Sequence, residues 1–385
     1  MQASKRLPLF LISLTITVTK VAWAYPEYRV TVVGPANSAA ADINNTGVVV
    51  GNYQFSRGVT HGFLNRGRGL VDLGPLRGAA SDARAINDKG EVLGNWFTRS
   101  GQQRGYLYRH GRQHDVGIIP GMGTIHIDIN NAGYILAQGY PADPFQPRPR
   151  SFLRAPSGPF KDIGTLRYNN PLAEAKALNH RNQITGASGE HFFGDPPVRA
   201  FIWSRGVMRD LGDLGFAPNY GLAINDCGQI TGFASQPTGG HDMVAFLYRN
   251  GRMIDIDGRP PVDGRFSQGR GINNYGHIVG ISNHLSGFVY RGRRMESLNA
   301  LIDSKLGWNI LNPEAINDAG QIAATARRND VAYAVRLDLI RPSALSAPPM
   351  ALADDDAAAT GGGPDADAPA VGQTDAQARA RPTAQ

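Results

Sequence analysis

Hydrophobic residues along this chain come in short runs, not at helical spacing. Runs such as Val48-Val49-Val50, Ile278-Val279 and Phe201-Ile202-Trp203 are bounded by glycine, asparagine or aspartate, which is the mark of short strands separated by tight turns. Only about 298–306 reads as an amphipathic helix.

The runs are also periodic. The pattern [Ile/Leu]-Asn-x-x-Gly recurs as Asn44 with Gly47, Asn87 with Gly90, Asn130 with Gly133, Asn179 with Asn182, Asn225 with Gly228, Asn273 with Gly276 and Asn317 with Gly320. Successive asparagines stand 43, 43, 49, 46, 48 and 44 residues apart. Asparagine first and glycine fourth is what a type I turn closed by a left-handed residue requires: the asparagine side chain caps the turn, and glycine takes positive φ without a Cβ clash. Asn182 replaces the glycine once, with the residue that next best tolerates that conformation. The asparagines are therefore read as turn residues and not as catalytic ones.

Three further strands belong to each turn. A segment of small residues precedes it, as in Ser81–Ile86, and a β-branched run follows. Next comes an aromatic strand: Gly62-Phe63-Leu64, Gly105-Tyr106-Leu107, Ser151-Phe152-Leu153, Ala200-Phe201-Ile202, Ala245-Phe246-Leu247, Gly287-Phe288-Val289 and Ala332-Tyr333-Ala334-Val335. The fourth strand ends in Asp72-Leu73-Gly74, Asp115-Val116-Gly117, Asp162-Ile163-Gly164, Asp210-Leu211-Gly212 or Asp255-Ile256-Asp257, and has drifted to Glu296-Ser297-Leu298 in the sixth copy. Units of this length and strand content predict an all-β fold, a seven-bladed β-propeller of four-stranded antiparallel blades. The fourth strand occurs only six times after an aromatic strand. The missing copy stands at the other end, in Tyr28–Gly34, so an N-terminal strand completing the last blade would close the ring and remove its exposed edges. The expected pairing is Arg29–Val33 with the strand around Ala332–Arg336.

The ends differ from the body, 25–341. Residues 1–24 read as a signal peptide, with Lys5 and Arg6, an apolar run from Leu7 to Val18, and cleavage after Ala22-Trp23-Ala24; the run is too short to span a bilayer. From 342 to 385 the chain is rich in Ala, Pro, Gly and Asp, and reads as a disordered tail. Its six aspartates, among them Asp354, Asp355 and Asp356, outnumber Arg379 and Arg381. The formal charge of the whole chain is +7, so the body is basic, but its basic residues are scattered. An exported protein of this kind is not expected to bind nucleic acid or to lie in a membrane, and a monomer is expected. Cys227 is the sole cysteine, which excludes an intramolecular disulfide.

Units reading Ala-Ile-Asn-Asp-x-Gly, an Ala-Phe-Leu-Trp-like strand and Met-x-Asp-Leu-Gly resemble the HAF repeat family of extracellular bacterial proteins. The closest copies are Arg199–Trp203 with Met208–Gly212, and Ala223–Gly228. The name-giving histidine survives as His61; Arg104, Arg199, Val244 and Ser286 stand there in other units. The resemblance implies export and repeat architecture, and no particular reaction.

Candidate chemistry lies in two places. The loops between second and third strands vary most, and over a rigid scaffold they could bind a sugar or an anion: Trp96 and Arg99; Tyr140, Asp143 and Arg148; His191, Phe192, Phe193 and Asp195; His241 and Asp242. On the inner strands, positions three and five before each turn asparagine share a face by alternation. They place Asp82, Arg84, Glu174, Lys176, Tyr220, Gln268, Arg270 and Glu314 along the channel. No histidine spacing indicates a metal site, and no cofactor is expected. Asp255-Ile256-Asp257-Gly258 hints at a calcium loop without its remaining ligands. The expected function is a non-enzymatic exported binding module, its ligand a glycan or a protein, with cell-envelope or extracellular polysaccharide favoured. The alternative is an exported glycan hydrolase or lyase using Glu174 or Glu314.

Overall fold

The computed structural model describes residues 27–340 apart from 68, 142–147, 167–171, 191–196, 216, 236–241 and 260–263. The signal peptide and the tail read from the sequence lie outside the described residues, as do Asp143, His191, Phe192, Phe193, Asp195 and His241. The chain is a seven-bladed propeller of antiparallel sheets. Blade 1 comprises Ser38–Ile43, Val49–Ser56, Val59–Asn65 and Leu70–Leu73, from the axis outwards. Five more blades follow the same order; in blade 2 the inner strand is broken into Ala80–Ser81 and Ala85–Ile86. Blade 7 comprises Asn309–Ile316, Ile322–Arg328 and Val331–Leu339, completed on its outer side by the N-terminal strand Tyr28–Ala36.

Closure by that strand follows the expected direction, with Arg29 opposite Asp338, Thr31 opposite Arg336 and Val32 opposite Val335. The Glu27 and Tyr28 amides donate to the Leu301 carbonyl at 2.9 and 3.0 Å, which fixes the strand to the segment joining blades 6 and 7. That segment, expected to be helical, forms two 3-10 turns, Leu298–Ala300 and Ser304–Leu306. Among the described residues no helix is long and apolar enough to cross a membrane.

The repeated turn is the one the sequence demands. At each turn the fourth residue donates its amide to the first asparagine's carbonyl, at 2.9–3.1 Å. The fourth residue has φ between 73° and 79° where it is glycine and 59° at Asn182. In six of the seven turns the asparagine oxygen accepts two amides within its own turn, from Cys227 and Gln229 in the case of Asn225, and Asn317 accepts that of Gln321.

The same asparagines also tie the blades together. Asn44 Nδ2 donates to the Asn87 carbonyl at 3.0 Å, and the bond repeats from Asn87 to Asn130, Asn179, Asn225, Asn273 and Asn317. Asn317 closes the circle on Asn44 at 3.0 Å. One residue type thus satisfies its own turn and a buried carbonyl of the next blade, groups that would be costly to leave unpaired.

Packing between strands explains two further repeats. The aromatic residues Phe63, Tyr106, Phe201, Phe246 and Phe288 are fully buried and lie opposite Gly51, Gly94, Gly186, Gly232 and Gly280 of the second strand. A Cβ on Gly232 would come within 1.8 Å of the Tyr220 carbonyl oxygen, so the inner strand leaves no room for a side chain there. In blade 7 this register belongs to Val335 opposite Ala324, not to Tyr333, whose ring packs edge-on against Trp308 instead.

The fourth-strand aspartates have a partner as well. Asp72, Asp115, Asp162 and Asp210 pair with His61, Arg104, Arg150 and Arg199 of the neighbouring third strand, at 2.8–3.1 Å. Three of these aspartates also cap the glycine two residues on. In blade 5, where Val244 occupies the basic position, Asp255 turns to Arg265 at 3.0 Å.

Candidate functional site

The inner strands depart from simple alternation. In blades 1 and 3 to 7, the ladder skips the residue three before the turn asparagine, a β-bulge that recurs in register. In blade 2 the corresponding stretch, 82–84, lies outside the strand. A bulge sets two residues against one on the partner strand. Here it turns both positions three and two before the asparagine towards the axis, where they line a cavity of about 280 Å³.

Position three puts Arg84, Lys176, Arg270 and Glu314 on that cavity. Each meets an opposite charge: Arg84 with Asp82 at 2.9 Å, Lys176 with Glu174 at 3.3 Å, and Arg270 with Glu314. Burial raises the Glu314 carboxyl, against the opposing pull of Arg270. Asp82 is held further, accepting the Asn95 amide at 2.7 Å.

Position two holds Asp42 and Asp128, which strand alternation alone does not place in the channel. The signal was present in the sequence, because the other five blades have alanine or glycine there: Ala85, Ala177, Ala223, Gly271 and Ala315. Each carboxylate spans a seam between blades. Asp42 accepts the Ile43 amide at 2.7 Å and the Ile86 amide at 2.9 Å; Asp128 accepts the Ile129 and Leu178 amides at 2.7 and 2.8 Å. Desolvation by burial pushes Asp42 up to about 7, with a further push from the Asp128 charge, and Asp128 up to about 6.

Beyond the asparagine ring a second polar ring occupies the residue after each asparagine, including Asn45, Asp88, Asp226, Asn274 and Asp318. Its side chains accept the backbone amides of the neighbouring blade, as Asp88 does from Asn45 at 2.8 Å and Asn274 from Asp226 at 2.9 Å. Burial would raise the Asp88 carboxyl, but hydrogen bonds from Asn131 and Asn45 outweigh it and hold the group below its ordinary value. This rim is occupied with holding the ring together.

Chemistry with spare capacity lies towards the opposite rim, on blades 2 to 5. The Tyr220 hydroxyl donates to Glu174 Oε2 at 3.1 Å, and Lys176 Nζ stands 5.8 Å from the Tyr220 ring centroid. Tyr220 stacks on Phe233 at 5.4 Å. Burial, the Glu174 charge and the hydrogen bond to Glu174 together raise the Tyr220 hydroxyl well above its ordinary value. Tyr140, at the end of the second strand of blade 3, joins the same group: burial and the Glu174 charge raise its hydroxyl, while Arg84 lowers it. Among the described residues the Tyr140 hydroxyl makes no hydrogen bond. The structure thus brings one rim candidate, Tyr140, within electrostatic reach of the channel candidates Glu174 and Arg84.

The other rim candidates separate. Trp96 is not on the rim: it lies within the strand Val92–Phe97, 5% exposed, packed among Leu73, Ala83 and Tyr106. The neighbouring blade covers a position that sequence placed in a loop. Arg99 is exposed in the turn that follows. Arg148 donates to the Glu190 carbonyl at 2.8 Å. Asp242 is fully buried and accepts the Gly264 and Arg265 amides at 2.7 and 2.9 Å. In the calcium-like stretch, Asp257 is bound by Arg259 and Ser267, and these contacts with the nearby Arg265 outweigh burial and lower its carboxyl. Among the described residues no three His, Cys, Asp or Glu side chains stand close enough to hold a metal ion.

No family model matches the chain, and no curated protein matches it either. Its fold is similar to that of YCF48 bound to D1 peptide, at 7% identity and a TM-score of 0.50, over 82% of this chain and 97% of that one. It is also similar to the β-propeller domain of the trilobed protease from Pyrococcus furiosus, at 8% identity and a TM-score of 0.51, over 78% and 93% of the two chains. At these identities the likeness is one of fold. The Pyrococcus domain is described as an open velcro propeller, whereas the present ring is closed through Tyr28–Ala36.

Proposed function

We propose that the protein is an exported binding module whose channel mouth on blades 2 to 5 takes a segment of cell-envelope or extracellular polysaccharide. The observation that carries this reading is the partly buried Tyr140 hydroxyl, free of hydrogen-bond partners among the described residues and within electrostatic reach of Glu174 and Arg84. Aromatic rings with hydroxyl, carboxylate and ammonium groups around one opening offer both stacking surface and hydrogen bonds to a polyhydroxylated ligand. Export rests on the character of residues 1–24 and on the resemblance to HAF repeats.

The state of the carboxylates supports binding over glycan hydrolysis or lysis. A glycosidase of the usual kind needs two carboxyl groups flanking the scissile bond, one as acid and one as base or nucleophile. Here Glu174 is engaged by Tyr220 and Lys176, Glu314 by Arg270, and Asp82 by Arg84 and Asn95.

A glycan array probed with the chain from Tyr25 onward, followed by titration of the hits in solution, tests this reading. Tyr140→Phe removes only the free hydroxyl and is expected to weaken binding about five- to tenfold. Sugar fragments released by the wild-type protein and absent with Glu174→Gln would instead establish the enzyme.

A further inference from the structure

A different part of the same rim carries an exposed aromatic cluster. Phe55 ends the second strand of blade 1 and is 57% exposed, the one aromatic side chain among the described residues that stands so far into solvent. An exposed aromatic ring of this kind needs a reason. Its ring lies flat on the imidazole of His61, with centroids 4.1 Å apart and planes 9° from parallel. His61 is itself held by Asp72, through Nδ1 at 3.0 Å. Tyr53 meets both rings edge-on, at 6.4 and 6.1 Å. One face of Phe55 is thus backed by a fixed imidazole while the ring remains open to solvent, a rigid platform that loses little freedom when something stacks on it.

Tyr53 also forms a wall of a groove of about 470 Å³ in the seam between blades 1 and 7, within the range of roughly 300–1,000 Å³ that small ligands occupy. Asn37 and Thr325 are polar residues along it, whereas the Asn52 carboxamide turns to the other face of the blade and accepts the Ala83 amide of blade 2 at 2.8 Å. Among the described residues none that lines the groove is charged, although the chain as a whole is 18% charged. The Asn37 carboxamide and the Thr325 hydroxyl near an aromatic platform, without a charge, match an uncharged polyhydroxylated ring: the apolar face of the sugar stacks, and its hydroxyls exchange hydrogen bonds with these groups. An anionic sugar or a charged peptide would find no counter-charge in the groove.

We infer that the seam between blades 1 and 7, with Phe55 as its stacking platform, is a binding site for a neutral sugar unit. It shares the ligand class of the channel mouth but none of its residues, so the two can fail separately.

The test is titration of the chain from Tyr25 onward with neutral gluco-, manno-, galacto- and xylo-hexaoses, and with a uronic acid hexamer, by calorimetry and saturation-transfer NMR. At least one neutral hexaose is expected to bind more tightly than the uronic acid. Phe55→Ala is expected to weaken that binding tenfold or more. Asn37→Asp, which puts a charge beside the groove from an exposed residue, is expected to weaken the neutral sugar three- to tenfold without changing the thermal midpoint. Tyr140→Phe leaves these affinities unchanged if the site is separate. Binding that survives both Phe55→Ala and Asn37→Asp overturns the inference, as does no binding by any neutral hexaose. Loss of binding with Tyr140→Phe alone assigns the sugar to the channel mouth and also overturns it. A Phe55-dependent interaction with peptides but not with sugars overturns it in favour of a protein partner.

Discussion

At the rim where inner and second strands meet, seven asparagines do the same two jobs in seven blades. At the opposite rim the described residues differ from blade to blade: blade 1 offers Phe55 on His61, blade 3 offers Tyr140, and blades 4 and 5 offer Glu174 with Tyr220. The difference follows from where the hydrogen bonds go. Each asparagine serves its own turn and the carbonyl of the next blade, so altering one copy leaves groups unpaired in two blades. Among the described residues the opposite rim carries no such circle, and its side chains can diverge without opening the ring. Sites are expected where repetition has been released, which is where the two candidate sites lie.

The sharpest way to break the comparison is to open the ring. Deleting Tyr25–Ala36 removes the outer strand of blade 7 together with its bonds to Leu301. The thermal midpoint is expected to fall by on the order of 10 °C or more, with loss of a single cooperative transition. Calorimetry showing an unchanged midpoint would refute closure as a source of stability.

Next in size is the asparagine ring. Asn225→Ala leaves two turn amides and the Asn273 carbonyl without their partner, at a cost of about 2–3 kcal/mol in chemical denaturation. Asn225→Asp keeps the acceptor and loses the donor, so its cost should fall between that of alanine and zero. Equal costs for the two variants would mean that the bond to the next blade contributes nothing.

The turn itself is tested by Gly90→Val, which forces a β-branched residue to a φ near 75° and should cost about 1–3 kcal/mol. Asn182→Gly at the equivalent position should be neutral or slightly stabilising.

A smaller effect concerns the two channel carboxylates. Because the folded-state values of Asp42 and Asp128 lie above those of an unfolded chain, at about 7 and about 6, their contribution to stability is complete below about pH 4. It is lost as pH rises through those values. Asp42→Ala copies the residue found in most other blades. Because the carboxylate keeps some contact with solvent in the channel, the variant is expected to gain only about 1 kcal/mol at pH 8 relative to pH 5, compared with wild type. Parallel pH profiles for the two proteins would rule out a titrating Asp42. The smallest effect should come from Arg99→Ala on the opposite rim, within about 0.5 kcal/mol of wild type.

Much of the architecture is determined by residues close in sequence. Asparagine and glycine at fixed spacing define a turn whatever surrounds it, so seven turns, the four-strand order of each unit and the complementary shortfall at the two ends were sufficient to predict a closed seven-bladed ring. The sites depended on neighbours that only the ring brings together. Alternation led to Arg84, Lys176, Arg270 and Glu314 on the channel, and they line its cavity; the recurring bulge also turned Asp42 and Asp128 inwards, and a bulge leaves the strand's apolar pattern unchanged. Trp96 and Phe55 make the same point from opposite directions. Both end second strands next to variable loops, yet Trp96 is covered by packing between strands while Phe55 stands open over the seam between blades 7 and 1. A sequence period assigns a side chain to one side of a strand, whereas exposure depends on what the adjoining blade places against that side, and this is decided only when the ring closes.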